Sequence, residues 1–268
     1  MRIECTDGIV EKKSYMGDVS LTEVTFSNEL THIGEWAFSK CRNLKTVIFE
    51  GKYASDIMGK GVFEGCEKLE KICFKGFAED ESHLLAAAVS RLKVPHLLRS
   101  DDVGEQSWFS KWDLALRLFL ESDDEKMSAA NALCGEEDIS YDGIGSIDGE
   151  LPGESGDFVK EAAINKCLLC YQRLTFDKYL SEESGRFIRN YLISHSFQTE
   201  EAYSWITLKE KCGDDIAYYK LYLEVVNPDN ETKNRMIEDL AENHVAAKSY
   251  LIKECSKSGS SVLDGLFI

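Results

Sequence analysis

Cysteine, histidine and clustered carboxylates are the residues here whose types could do chemistry. Cys167-Leu168-Leu169-Cys170 is a lone CxxC. A zinc ribbon needs a second pair, and a thioredoxin-type motif needs a strand-to-helix junction. Neither accompanies it, and on a helix the i and i+3 positions share a face. Both thiols therefore read as core. Residues 135–157 carry eight acidic residues, six Gly and no Lys or Arg. Placing Asp138, Ser140, Asp142 and Gly143 at positions 1, 3, 5 and 6 of a calcium loop fits. Position 12 is then Gly149, with Glu150 one place late, and no helix-loop-helix frame precedes it. The reading favoured is a Gly-rich surface loop pinned by Ile139, Tyr141, Ile144 and Leu151. The histidines His32, His83, His96, His195 and His244 stand far apart, outside any ligand register. No GxSxG, HExxH, phosphate loop or dinucleotide fingerprint occurs. The chain is expected to be non-enzymatic and to need no metal or cofactor.

What must position these residues is set by a repeat. Ile33-Gly34-Glu35-Trp36-Ala37-Phe38 returns as Met58-Gly59-Lys60-Gly61-Val62-Phe63, and at the same offset Cys41, Leu44, Val47 and Phe49 return as Cys66, Leu69, Ile72 and Phe74. A weaker copy precedes them, with Tyr15, Leu21, Val24 and Phe26. Copies that recur after 23 and then 25 residues predict a solenoid. In each copy Leu-x-x-Val/Ile-x-Phe ends in a short alternating strand. The repeat core is then Leu21, Val24, Phe26, Phe38, Cys41, Leu44, Val47, Phe49, Phe63, Cys66, Leu69, Ile72 and Phe74. Alternation turns Thr25, Ile48 and Cys73 outward in one row, and Glu23, Thr46 and Lys71 in a second. These six are the candidate binding residues, although single exposed apolar side chains are common. Gly34 and Gly59 suit turns where a side chain would collide. Residues 3–14 are expected to cap the first coil.

The phrase Ile-Gly-x-x-Ala-Phe-x-x-Cys-x-x-Leu-x-x-Val-x-Phe at residues 33–49 resembles the BspA-like bacterial leucine-rich repeats. The resemblance covers about residues 13–76. It implies a short-stranded solenoid in an interaction protein or adhesin.

Beyond residue 78 the composition changes. Residues 1–78 hold 11 Lys/Arg against 12 Asp/Glu, and the remainder holds 20 against 36, within a net charge of -17. The expected fold is α+β: about three leucine-rich coils over 1–78, then an acidic all-α helical-hairpin domain over 79–268 that caps the last coil. Helices are predicted around 84–92, 108–119 and 127–133, with the second apolar on most sides. Asp157 should cap the next, which carries the CxxC. Helix pairs follow at about 182–195, 199–212, 214–226, 230–242 and 244–255, the last two loosely ankyrin-like. The apolar end, Leu263 to Ile268, reads either as a docked tail or as a peptide for a partner groove.

Acidity argues against nucleic acid and anionic membranes. The scattered, odd set of nine cysteines suggests reduced thiols. With no signal peptide or membrane span in sight, a cytoplasmic location is expected. The function expected is a protein–protein interaction module. It would use the strand face, the acidic helical surface or both, with a protein partner and no small-molecule cofactor. A truncated or unconventional cell-surface adhesin is the alternative. An enzyme whose site lies between the two domains is third.

Overall fold

The computed structural model describes residues 1–52, 55–99, 101–122 and 155–263. Two compact units appear: Met1–Phe119 with Gln172–Gly185, and Leu120–Tyr171 with Arg186–Ile268. The boundary is thus not at residue 78. The helices between 79 and 119 belong with the repeats.

The first unit begins with strands β1 (Arg2–Cys5), β2 (Ile9–Val10), β3 (Glu23–Phe26), β4 (His32–Ile33), β5 (Thr46–Phe49) and β6 (Lys71–Phe74). β1, β3, β5 and β6 form one parallel sheet in that order, and β2 pairs with β4. An isolated bridge from Ile33 to Met58 continues the second row. Register runs Ile3, Val24, Val47, Ile72 and Cys5, Phe26, Phe49, Phe74 across the sheet. The N-terminal segment is therefore not a separate cap but an in-register first coil. Its alternating Ile3 and Cys5 stand one coil before Val24 and Phe26.

Three devices hold the coils at one pitch. Aromatic rings stack: Tyr15 on Phe38 at 5.0 Å, Phe38 on Phe63 at 5.9 Å, Phe26 on Phe49 at 4.7 Å and Phe49 on Phe74 at 4.1 Å. Each repeat cysteine donates its S–H to the aromatic residue's carbonyl one coil back: Cys41 to Tyr15 O at 3.0 Å and Cys66 to Phe38 O at 3.1 Å. The turns form a second backbone ladder. The amides of Lys13, Tyr15 and Gly17 donate to the carbonyls of Glu35, Ala37 and Ser39, and those of Trp36, Phe38 and Lys40 to Lys60, Val62 and Glu64. Where coils run this close a side chain has no room. A Cβ on Gly34 would sit 2.4 Å from Lys12 N, and one on Gly59 2.6 Å from Ile33 O. All thirteen core residues named above are buried, none more than 5 % exposed.

Helix α1 (Glu79–Ser90) packs on β6 and closes the sheet end of the stack. Arg91, just beyond it, donates to the carbonyls of Leu69 and Glu67. Helix α2 (Gln106–Glu121) is amphipathic rather than apolar on most sides. Trp108, Phe109, Trp112 and Leu116 are buried, whereas Leu114 and Leu118 are 58 % and 61 % exposed. The indole N–H groups of Trp108 and Trp112 donate to Leu97 O and Leu84 O. Segment 172–185 straps α1 to α2. Arg173, with its side chain fully buried, grips Asp113 of α2 through two hydrogen bonds of 2.5 and 3.2 Å. Lys178 ion-pairs with Glu81 of α1, and Phe176 stacks on His83 at 4.2 Å.

The second unit is helical. It takes most of α3 (Ser155–Thr175) and α4 (Glu182–Ser194), then α5 (Tyr203–Thr207), which continues as a π-helical turn at Leu208–Cys212. α6 (Ile216–Val226), α7 (Asn230–Asp239) and α8 (Val245–Leu263) follow. The Ser/Gly-rich stretch after Lys257 stays helical to Leu263, past the expected end at 255. α3 starts at Ser155, so Asp157 lies inside its first turn and is not its cap. Asp215 and Asp229 cap α6 and α7 by accepting from Ala217 N and Thr232 N. Asp214 accepts from Ala246 N and Ala247 N, serving the first turn of α8 from a distant loop. Trp205 centres the core among Phe197, Tyr219 and Tyr222, and its N–H reaches Asp239. Cys167 and Cys170 are fully buried on α3. The helix expected at 127–133, the calcium-like frame at Asp138–Glu150 and the tail after Leu263 lie outside the described residues, apart from Leu263 itself.

Candidate interaction surface

Four parallel strands in register turn alternate side chains away from the core, and this creates the candidate face. Thr25, Ile48 and Cys73 stand in one row, which Glu4 extends on β1. Glu23, Thr46 and Lys71 stand in the second, extended by Arg2. All six expected residues are half-buried. Glu4 and Arg2 are exposed. Reading β1 as part of a cap leaves those two out. The signal for them is the Ile3–Cys5 alternation.

The two rows differ electrostatically. The Glu23 row is internally satisfied: Arg2 lies 3.5 Å from Glu23, and Lys71 lies 3.1 Å from Glu79 at the start of α1. The ammonium of Lys71 holds the Glu79 carboxyl below the usual carboxylate range. His83, 3.5 Å from Glu79, is pushed down, first by burial and then by Lys71. Thr25, Ile48 and Cys73 carry no formal charge, and Glu4 adds a carboxylate at the β1 end of their row.

Size limits what the face can do. Four strands about 4.8 Å apart and four residues at about 3.3 Å each give a patch of roughly 250 Å². A stable interface takes about 800 Å² from each partner. A tight partner must therefore also reach the surface beside the sheet, towards Lys75 and α1 or past β1.

The repeat thiols are poor nucleophiles. Burial pushes the Cys66 thiol up to about 12 and raises Cys5 and Cys41 as well. Burial also raises Cys170 well above the ordinary thiol range. Among the described residues, no group of three His, Cys, Asp or Glu is placed to hold a metal ion. No described helix is long and apolar enough to cross a membrane.

Residues 8–88 match the BspA type leucine rich repeat region (6 copies). This part of the chain is a BspA-type leucine-rich repeat. The match runs through α1, in keeping with the packing of that helix on the last coil. Repeats of this type point to protein–protein interaction or adhesion. No curated protein and no solved structure matches the chain. The helices α7 and α8 lie outside the match.

Proposed function

We propose that the chain is a non-catalytic interaction module that holds a protein partner on the outward face of its four-stranded sheet. The observation that carries this reading is the uncharged, half-buried row of Thr25, Ile48 and Cys73, presented at the strand spacing by a rigid stack. Such a face binds without a pocket, because stacked repeats present one continuous surface. The module acts where its thiols stay reduced, which suits the cytoplasm, and a fractionation experiment tests that location. The acidic helical unit serves as additional contact surface for a basic partner.

The test uses Cys73 itself. A photo-crosslinker attached to its thiol, in a chain with Cys134, Cys212 and Cys255 replaced by serine, should trap one defined protein. Ile48→Arg should abolish that adduct while circular dichroism and thermal midpoint stay those of the parent. Undiminished capture by Ile48→Arg and by Thr25→Arg would remove the strand face from consideration.

A further inference from the structure

The last coil closes its two ladders differently. On the sheet side Arg91 occupies the carbonyls of Leu69 and Glu67, and α1 packs on β6. On the turn side the ladder simply stops. The amides of Trp36, Phe38 and Lys40 each reach a carbonyl of the next coil. Gly61, Phe63 and Gly65 hold the equivalent positions one repeat later, and their amides have no acceptor among the described residues. Backbone donors left this way call for an explanation. Gly61 and Phe63 line a concavity of about 560 Å³ between this turn and the end of α1. Its floor is apolar, with Val62 and Val89, and its rim carries Lys60, Lys93 and His96 against the single carboxylate of Glu64. In a chain of net charge -17, two lysines to one carboxylate on this rim is the reverse of the average.

We propose that this concavity binds an acidic, extended segment of another protein, which enters as a substitute for the missing next coil. Two of its backbone carbonyls, spaced two residues apart, accept from Gly61 and Phe63, as Lys60 and Val62 accept from Trp36 and Phe38. This is the edge-addition mode of peptide recognition applied to a turn ladder. An apolar side chain between them rests on Val62 and Val89. Flanking carboxylates meet Lys60 at the rim. Glu64 sets a limit on how much negative charge enters. The site is separate from the strand face and stands or falls without it.

The probe is a fluorescein-labelled octapeptide of alternating aspartate and valine, blocked at both ends, titrated into the full chain by anisotropy. Amide exchange is read by NMR in parallel. Binding should saturate, and exchange at Gly61 and Phe63 should slow while Trp36 and Phe38 are unchanged. Lys60→Glu should weaken binding about two- to fivefold, the range of one exposed ion pair, and Glu64→Gln should strengthen it. Ile48→Arg, which disables the strand face, should leave it unaltered. The proposal is overturned if the acidic peptide does not saturate, or if it binds with exchange at Gly61 and Phe63 unmoved. It is equally overturned if inorganic phosphate alone reproduces the exchange changes, which would make this a small-anion pocket. Slow exchange at those amides in the chain alone would also overturn it, since they would then already have acceptors.

Discussion

Replacing Gly59 by alanine tests the coil register most directly. A Cβ there would lie 2.6 Å from Ile33 O and 2.8 Å from both Glu35 N and Gly34 C. All three are backbone atoms, so no rotamer change relieves the clash. Restoring an ordinary contact of about 3.4 Å needs a retreat of roughly 0.8 Å. The same carbonyl accepts from Gly59 N at 2.8 Å, so that bond stretches to the edge of what counts as one. Overpacking costs about 1–3 kcal/mol and the lost hydrogen bond about 1 more, giving about 2–4 kcal/mol in all. Two other glycines calibrate the number. Gly51→Ala meets its nearest atom at 3.5 Å, an ordinary contact, and should fall within about 0.5 kcal/mol of the parent. Gly17→Ala meets nothing within 4 Å but has φ +76°, so it should cost about 1–2 kcal/mol from backbone strain alone. With two compact units, a single global midpoint would blur the effect. Amide exchange at Val24 and Val47 reads the solenoid locally. The expected order of damage is Gly59, then Gly17, then Gly51. If Gly59→Ala proves as mild as Gly51→Ala, the coils do not stack in the register described.

Other perturbations read the parts that surround the solenoid. Arg173→Met leaves Asp113 buried without its partner and should cost about 3–5 kcal/mol, whereas Arg173→Met with Asp113→Leu should recover much of that in urea denaturation. His83 has its folded-state pKa depressed by burial, so the stability it contributes is full above the unfolded value of about 6.5 and is lost as pH falls through the folded one. Exchange at the β6–α1 junction should therefore quicken on acidification below neutrality, and His83→Gln should flatten that response. Among the cysteines of the described residues, titration with a disulfide reagent should modify the half-buried Cys73, Cys212 and Cys255 first. The buried Cys5, Cys41, Cys66, Cys167 and Cys170 should react only on unfolding, and early loss of Cys66 would contradict its place under Phe38.

What was legible in the sequence was what repeats locally. Phe38 and Phe63, or Cys41 and Cys66, announce equivalent seats because neighbouring coils impose the same packing on both. Gly34 and Gly59 announce a close approach because the turn-to-turn distance excludes a Cβ there. The first coil was harder to see, since Ile3 and Cys5 keep the alternation of the strand but little else of the phrase. The Arg173–Asp113 pair was invisible: its partners are 60 residues apart and follow no period. The outward direction of Leu114 and Leu118 was hidden for a related reason. Composition made α2 look apolar on most sides, but Asp113 takes a buried place on it only because Arg173 arrives from elsewhere in the chain. The same limit governs the candidate sites. Alternation alone names Thr25, Ile48 and Cys73. The open amides of Gly61 and Phe63 exist only because a repeat stops there, and no residue type marks the place where a repeat stops. A solenoid's strand face is written once per coil, but its ends are written once per chain, so an end site can be reasoned out only after the stack has been built.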